Sequence, residues 1–199
     1  MAASLVYWWF SKKYKTSKNL DIRHRVLLVL FSFFPTYVIA RLFQKIVHRP
    51  RPLINIPLQI SPIFQSEWNG ARDTFSNWGS FPSDHSALFF IFTTIAFTIN
   101  RRLGVLSVVL SLYYCILRIA IGYHWPSDIL GGALLGSLVA LLLLSLEPYL
   151  RKVLERIVLQ FERHPAVTYT LSFLFLSDLS QSFVHIKRLA SALGKRTLS

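Results

Sequence analysis

Residues 106–146 read LSVVLSLYYCILRIAIGYHWPSDILGGALLGSLVALLLLSL, and this stretch decides the fold class. Two apolar runs flank the short link GYHWPSD at residues 122–128, so the two segments must be antiparallel neighbours if both cross a bilayer. Arg118, His124 and Asp128 lie at the junction, where unpaired ionisable groups are costly. The stretch therefore predicts membrane helices that carry polar chemistry at one end.

The overall composition supports a membrane protein. Of the 199 residues, 53% are hydrophobic and 15% are aromatic, which is more apolar surface than a soluble domain of this length needs. A bilayer span takes about 20 residues, and about 17 suffice. Segments that meet this requirement, or come close to it, run over residues 26–44, 83–99, 105–121 and 129–147. We expect an all-α, polytopic membrane helical bundle with four core spans.

The basic residues predict the orientation of these spans. A net charge of +13 could indicate nucleic acid, but the cations cluster beside the apolar runs, and we expect no nucleic-acid partner. They lie before the first span, between the second and third, and after the fourth, at Lys12, Lys13, Lys15, Lys18, Arg23, Arg25, Arg101, Arg102, Arg151, Lys152, Arg156 and Arg163. The positive-inside rule makes this face cytoplasmic. Residues 45–82 and 122–128 then face the periplasm or exterior of a cytoplasmic (inner) membrane.

The sequence predicts one membrane domain, residues 1–165, followed by a C-terminal segment, residues 166–199. Asp178 and Gln181 interrupt the apolar part of this segment, and basic residues lie near its end. We expect an amphipathic helix on the cytoplasmic surface, with a fifth span as the alternative. The single cysteine, Cys115, excludes an intrachain disulfide, and the oligomeric state is left open.

Alternating topology brings three polar clusters to the extracytoplasmic end of the bundle. They comprise Gln44, Lys45, His48, Arg49 and Arg51 after the first span, Ser83, Asp84 and His85 at the second, and Arg118, His124 and Asp128 around the last link. Several guanidinium groups without a matching excess of carboxylates favour an anion, and their forked donors suit phosphate. Pro82 is predicted in the first turn of a helix, so that backbone N–H groups near Ser83 and Asp84 point outward at a phosphate.

The spacing of His124 and Asp128 favours nucleophilic catalysis. Pro126 opens a helix between them, and one turn brings the carboxylate back to the imidazole. A carboxylate on one ring nitrogen fixes the tautomer and leaves the other nitrogen free to attack. His85, on another helix, would protonate a leaving oxygen. A metal site built from the two histidines, Asp84 and Asp128 is the alternative, which the nearby arginines disfavour.

These clusters resemble the three-part motif of the type 2 phosphatidic acid phosphatase (PAP2) superfamily, whose members share a site with vanadium haloperoxidases. The family pattern is K-x6-R-P, then P-S-G-H, then S-R-x5-H-x3-D. Residues 82–85 and 118–128 correspond to the second and third parts, and Arg51-Pro52 to the end of the first. The resemblance covers residues 41–132, and the helix arrangement is similar to about residue 147.

The resemblance implies a role for each residue that matches the pattern. His124 is the expected nucleophile that forms a phosphohistidine, Asp128 orients it, and His85 is the expected acid for the leaving group. The phosphoryl oxygens would be held by Arg51, Arg118 and Ser83, with Asp84, Gln44, Lys45 and Arg49 as further candidates for the phosphate subsite. Neither a metal nor another cofactor is implied, because fixed cationic donors take the place of Mg²⁺.

Several positions depart from the family pattern. Gln44 stands where the pattern has Lys, which leaves Lys45 or Arg49 as the candidate source of the missing charge. Asp84 replaces Gly, a variant associated with bacterial polyprenyl diphosphate phosphatases, and Leu117 replaces Ser. The family usually has two spans ahead of the first motif, so LVYWWF at residues 5–10 is expected to be a remnant of a missing helix. Arg41 is expected to contact lipid headgroups.

We expect a metal-independent membrane enzyme that hydrolyses a polyprenyl (undecaprenyl) diphosphate while the lipid chain stays in the bilayer. The alternatives are a phosphatidic acid, phosphatidylglycerol phosphate or lipid A phosphatase, or a phosphotransferase that uses the same lipids. An alternative of another class is a lipid-binding membrane protein that has lost catalysis. Arg72, in the loop between the first two motifs, is a candidate contact for the second phosphate.

Overall fold

The computed structural model describes residues 2–10, 17–55 and 79–180, and every regular element within these ranges is a helix. In chain order the helices are α1 (Ala2–Phe10), α2 (Ser17–Val47), α3 (Pro52–Asn55), α4 (Asp84–Ile99), α5 (Arg101–Ala120), α6 (Pro126–Arg163) and α7 (Pro165–Ser180). This arrangement confirms the predicted all-α fold. The loop that carries Arg72 lies outside the described residues.

Three helical segments are long and apolar enough to cross a membrane: Ile22–Val47, Arg101–Ala120 and Pro126–Arg163. They contain the first, third and fourth predicted spans. The second predicted span corresponds to α4, which is apolar but only 16 residues long. The polytopic helical bundle is therefore confirmed, with three long segments and one helix slightly shorter than a bilayer normally requires.

Helix α4 lies between its neighbours and supplies fully buried apolar side chains to the bundle. It packs against α2 on one side and α5 on another, and Ile91 and Ile95 are fully buried. Helix α4 also approaches α6 closely, because Gly132 and Gly136 present no side chain to the backbone of Ala87. Small residues spaced four apart allow this close approach between membrane helices. The starts of α4 and α6 are thereby held together.

The helices that cross the membrane expose apolar side chains on their outer surfaces. On α5 these include Val105, Leu106, Val109, Leu110, Leu112 and Ile116. A continuous apolar surface of this kind is unusual on a soluble protein and is what lipid chains would cover. Helix α1 packs against α2, and its Trp8 ring stacks on Phe92 of α4 at a centroid separation of 5.6 Å. LVYWWF is thus helical and packed in this structure.

The chain divides into two compact units, Met1–Arg151 and Lys152–Ser199. The predicted domain boundary at residues 165/166 falls within the second unit. In that unit, α7 covers Pro165–Ser180 and exposes apolar side chains such as Val167, Leu171 and Phe173. Residues 181–199 lie outside the described part of the chain, and the amphipathic surface helix stays a prediction.

Candidate active site

Three separate segments meet at the end of the bundle where α4 and α6 begin. Leu53 N–H donates to the Gly122 carbonyl at 2.8 Å, and Ser80 N–H donates to the Arg49 carbonyl at 2.8 Å. Ser83 N–H donates to the Asp128 carbonyl at 2.9 Å. These bonds join the chain after α2, the chain before α4 and the link between α5 and α6. The convergence of the three predicted clusters is therefore a feature of this structure.

His124 is fully buried, and both of its ring nitrogens have defined surroundings. Its Nδ1 lies 3.0 Å from the Ser80 carbonyl oxygen, which accepts the ring N–H, and 3.8 Å from Asp128 Oδ2. Its Nε2 lies 3.4 Å from Arg51 Nη1. A proton on Nδ1 leaves the lone pair on Nε2. The tautomer is thus fixed chiefly by a backbone carbonyl, with the predicted carboxylate just beyond hydrogen-bonding distance.

Asp128 is fully buried and is held by donors from two segments. Its Oδ2 accepts the Trp125 N–H at 2.8 Å, and its Oδ1 accepts from Arg49 Nη1 at 3.0 Å. Arg49 Nη1 also donates to the Ser127 hydroxyl at 2.7 Å. Arg49 was a candidate phosphate ligand, but in this structure its guanidinium group pairs with the Asp128 carboxylate, beside His124.

Arg51 places a buried cation beside His124. Its side chain is 2% exposed, and it donates from Nη1 to the Tyr123 carbonyl at 2.9 Å and from Nη2 to the Gly79 carbonyl at 3.4 Å. Burial lowers the pKa of Arg51 to about 10, although the charge of Asp84 opposes this shift. The group therefore stays protonated at neutral pH and can bind a phosphoryl oxygen next to His124 Nε2.

The same surroundings lower the pKa of His124 below its ordinary value. Burial is the largest cause, and the neighbouring charges of Arg51 and Arg118 act in the same direction, whereas Asp128 opposes them. A lowered pKa keeps the imidazole neutral at physiological pH. A neutral ring with its lone pair on Nε2 is the form that can attack phosphorus.

His85 has a carboxylate partner next to it in the chain. Its Nδ1 lies 2.9 Å from Asp84 Oδ1, and the same oxygen accepts the backbone N–H of His85 at 2.9 Å. Asp84 Oδ2 lies 3.2 Å from Arg41 Nη2. The His85 side chain is 32% exposed and lies beside the Tyr114 ring, with 6.3 Å between the ring centroids. Asp84 was a candidate for the phosphate subsite, but in this structure its carboxylate lies against the second imidazole and Arg41.

The side chains of Gln44 and Lys45 have different surroundings, although the two residues are adjacent on α2. Gln44 is fully buried, its Nε2 donates to the Pro82 carbonyl at 2.9 Å, and its Oε1 accepts from Arg41 Nη1 at 3.0 Å. Lys45 is exposed. Sequence reasoning assigned Arg41 to lipid headgroups and missed its place in the site. The available signal was its position three residues before Gln44, on the same face of the helix.

The start of α4 differs from the predicted one. The helix begins at Asp84, and Ser83 is its N-cap, with the Ser83 hydroxyl accepting the Ser86 N–H at 3.3 Å. The prediction that Pro82 lies in the first turn is therefore wrong. The Ser83 hydroxyl accepts a backbone N–H of the first turn, so Ser83 is the N-cap and the helix begins at the next residue. The predicted outward-pointing N–H group is also wrong at Ser83, whose N–H donates to the Asp128 carbonyl.

Arg118 lies at the C-terminal end of α5 between two tyrosines. Its Nη1 donates to the Tyr114 hydroxyl at 3.2 Å, and its guanidinium carbon lies 5.3 Å from the centroid of the Tyr123 ring. It is partly exposed, and its charge acts on both Arg51 and His124. The charge of Arg118 therefore reaches His124 and would attract an anion that binds there.

The acidic and imidazole groups form two pairs, His85 with Asp84 and His124 with Asp128. Within residues 2–10, 17–55 and 79–180, no group of three or more histidine, cysteine, aspartate or glutamate side chains has an arrangement that could hold a metal ion. The predicted alternative of a metal site made from all four side chains consequently finds no support in this part of the chain.

A helical membrane bundle whose one end gathers two imidazole–carboxylate pairs and several guanidinium groups has the composition of a site for transfer of a phosphoryl group. The profile of the PAP2 superfamily matches residues 1–152, and the chain belongs to this family. The predicted resemblance is thus confirmed.

Two curated relatives are similar to this chain. One is "Bacitracin transport permease protein BcrC" of Bacillus licheniformis, 29% identical over 150 residues, which cover 75% of this chain and 66% of that protein. The other is "Putative undecaprenyl-diphosphatase YbjG" of Escherichia coli (strain K12), 44% identical over 61 residues, which cover 30% of each chain. The chain thus spans just under two thirds of the first relative and less than one third of the second. No solved structure matches this chain.

Proposed function

We propose that this protein is a membrane lipid phosphatase that hydrolyses a polyprenyl diphosphate of the undecaprenyl type through a phosphohistidine at His124. The observation that carries the proposal is the geometry of His124, which is buried, has Nδ1 bonded to the Ser80 carbonyl and directs Nε2 toward Arg51. The choice of substrate is supported by the relative whose printed name is an undecaprenyl-diphosphatase.

In the first step, Nε2 of His124 attacks the terminal phosphorus of the diphosphate. The bond between that phosphorus and the bridging oxygen breaks, and its electron pair stays on the oxygen of the departing lipid monophosphate. His85 donates the proton that this oxygen takes up. Arg51 and Arg118 stabilise the charge on the transferring group, because fixed cationic donors lower the energy of the transition state most when they need no rearrangement.

In the second step, water attacks the phosphorus of the phosphohistidine. The electron pair of the phosphorus–nitrogen bond returns to Nε2 of His124, and His85 accepts the proton that the water loses. Inorganic phosphate leaves, and both imidazoles return to their starting forms. Asp128 stabilises the positive charge on His124 while the phosphohistidine exists, since its Oδ2 lies 3.8 Å from Nδ1.

The site faces the periplasm or the exterior in this proposal, because basic residues lie at the opposite ends of the helices. Arg101 and Arg102 are exposed at the start of α5, whereas His124 follows the end of that helix. The lipid chain stays in the bilayer beside the apolar outer surface, and the headgroup enters the site laterally.

Another substrate or another class of protein would leave different experimental signatures. A phosphatidic acid, phosphatidylglycerol phosphate or lipid A phosphatase would release phosphate from those lipids, and a phosphotransferase would need an acceptor lipid. Gln44 in the position of the family's lysine favours a lipid-binding protein without catalysis. The intact surroundings of His124 favour an enzyme.

The deciding experiment measures release of inorganic phosphate in detergent from undecaprenyl diphosphate and, separately, from phosphatidic acid. The parent protein, His124→Ala and the control Arg102→Gln are compared, because Arg102 is exposed at the start of α5, far along the helix from the site. We expect release from undecaprenyl diphosphate that His124→Ala abolishes and Arg102→Gln preserves. Equal release by the parent protein and His124→Ala would refute the phosphohistidine mechanism, and no release by either would refute the enzyme.

A further inference from the structure

Two departures from the family pattern, Gln44 in place of Lys and Asp84 in place of Gly, meet at one side chain. Arg41 donates from Nη1 to Gln44 Oε1 at 3.0 Å, and its Nη2 lies 3.2 Å from Asp84 Oδ2. Gln44 also donates to the Pro82 carbonyl at 2.9 Å, two residues before Asp84. The two altered positions are therefore parts of one hydrogen-bonded unit between α2 and the start of α4.

Asp84 fixes the orientation of the His85 ring. A single oxygen, Oδ1, accepts both the backbone N–H and the Nδ1–H of His85, each at 2.9 Å. With Nδ1 engaged, Nε2 is the nitrogen that remains for proton transfer. The family's glycine has no side chain that could do this. Asp84 thus gives His85 an orienting carboxylate of its own.

Arg41 stabilises the buried carboxylate of Asp84. The Asp84 side chain is only 6% exposed, and a buried carboxylate is stable only when it is paired and hydrogen-bonded. A lysine at position 44 would place a second cation beside Arg41, and like charges this close repel each other. The neutral amide of Gln44 instead accepts a hydrogen bond from Arg41. The contacts of Arg41 therefore require both a carboxylate at position 84 and a neutral acceptor at position 44.

We propose that Asp84, held by Arg41, positions His85 for proton donation to the leaving oxygen. In this proposal the two departures from the family pattern, Gln44 and Asp84, depend on each other. This inference rests on the proposed function and deepens it. Asp84 and Arg41 act through His85, so they are positioning residues.

The consequence of losing this positioning depends on the leaving group. Hydrolysis of phosphatidic acid expels an alkoxide, whose conjugate acid is about as weak an acid as water. Hydrolysis of a lipid diphosphate expels a phosphate monoester, whose second pKa is about 6. The alkoxide requires proton donation to leave, whereas the phosphate monoester hardly does. A defect in His85 positioning must therefore be larger on phosphatidic acid.

The test measures kcat and KM on phosphatidic acid and on undecaprenyl diphosphate for the parent protein, Asp84→Asn and Arg41→Gln. Glu147→Gln and Arg102→Gln are the matched controls, since each makes the same chemical change far along the chain from the site. We expect Asp84→Asn to lower kcat on phosphatidic acid about 10- to 100-fold, a part of the usual gain from acid catalysis. On undecaprenyl diphosphate we expect a loss of less than about threefold, with KM unchanged on both.

A second measurement tests the coupling of the two departures. Asp84→Gly and Gln44→Lys restore the family pattern one residue at a time, and the double variant restores it at both. We expect the losses on phosphatidic acid to be non-additive, because a cation introduced at position 44 repels Arg41 more strongly once the carboxylate of Asp84 is gone.

Four outcomes would overturn the inference. Equal losses on both substrates would show that Asp84 only supports the fold, and unchanged kcat in Asp84→Asn and Arg41→Gln would show that the unit does not act on His85. Strictly additive losses in the double variant would refute the coupling. Release by the parent protein from undecaprenyl diphosphate but not from phosphatidic acid would leave no leaving group that needs the proton of His85. Absence of release from undecaprenyl diphosphate by the parent protein would instead refute the proposed function, and the inference would fall with it. If Asp84→Asn does not fold, Arg41→Gln gives the same comparison of substrates.

Discussion

Gly136→Ala tests whether the close approach of α4 and α6 sets the geometry of the site. A Cβ atom at Gly136 would lie 2.0 Å from the Ala87 carbonyl oxygen and 2.8 Å from its carbon, whereas ordinary contact begins at 3.4 Å. The obstructing atoms belong to the backbone of α4 and cannot rotate away. The two helices must therefore separate by about 1 Å or more, because the interior has no empty space to absorb the methyl group.

The separation would reach the catalytic groups through two hydrogen bonds. The Ser86 hydroxyl donates to the Ile129 carbonyl at 2.8 Å, and Ser83 N–H donates to the Asp128 carbonyl at 2.9 Å, both between the same helix starts. A shift of about 1 Å takes each of them beyond hydrogen-bonding distance. Misplacement of reacting groups by about 1 Å lowers a rate about 100-fold, and we expect kcat/KM to fall by about that factor.

The assay is phosphate release from undecaprenyl diphosphate in detergent, with thermal unfolding of each variant followed by circular dichroism. The matched control is Gly131→Ala, whose Cβ would meet the Phe81 ring at 2.4 Å, a side chain that can rotate. Both variants gain the same helix propensity of about 1 kcal/mol, so this term cancels in the comparison. Parent-like kcat/KM in Gly136→Ala, or an equal loss in Gly131→Ala, would refute the reasoning.

Three further predictions concern the pH profile, Arg49 and inhibitors. Burial lowers the pKa of His124 below 6.5, so kcat/KM should fall only as the pH drops through a value below 6.5. Arg51→Gln removes a charge that also lowers this pKa and should move the acid limb of the pH–rate profile to higher pH; an unmoved limb would contradict the assignment. Arg49→Gln should lower kcat about 10-fold through Asp128, with KM unchanged, and a rise in KM alone would make Arg49 a substrate ligand instead. Orthovanadate, which mimics a pentacoordinate phosphoryl group, should inhibit phosphate release and EDTA should leave it unchanged, so loss of activity in EDTA would favour a metal-dependent reaction.

Much of the fold followed from the sequence because apolar length and tight links are local properties. The link at residues 122–128 and the apolar runs on either side predicted α5 and α6, and the four-residue spacing predicted that His124 and Asp128 would be neighbours. The Ser80 carbonyl could not be predicted as the acceptor for His124. A backbone oxygen carries no sequence signal, and its position depends on how residues 79–83 cross the end of the bundle.

Two predictions from the sequence were wrong because tertiary contacts outweighed the local preferences of the residues. Pro82 suits the first turn of a helix, but the serine that follows it satisfies a backbone donor and moves the start of α4 to Asp84. Arg41 was assigned to lipid because an arginine near a membrane interface usually extends to headgroups. A buried carboxylate on another helix offers a stronger partner, and no property of α2 alone reveals it.

The arrangement of the arginines explains how the site remains suited to an anion. The structure contains two similar sets, in which His85 lies by Asp84 and Arg41, and His124 lies by Asp128 and Arg49. In each set one guanidinium charge offsets one carboxylate. Arg51 and Arg118 donate to backbone carbonyls and to a tyrosine hydroxyl. Arg51 Nη1 lies 3.4 Å from Nε2 of His124, and the charge of Arg118 also acts on this imidazole, so a phosphate dianion bound there would interact favourably with both guanidinium groups.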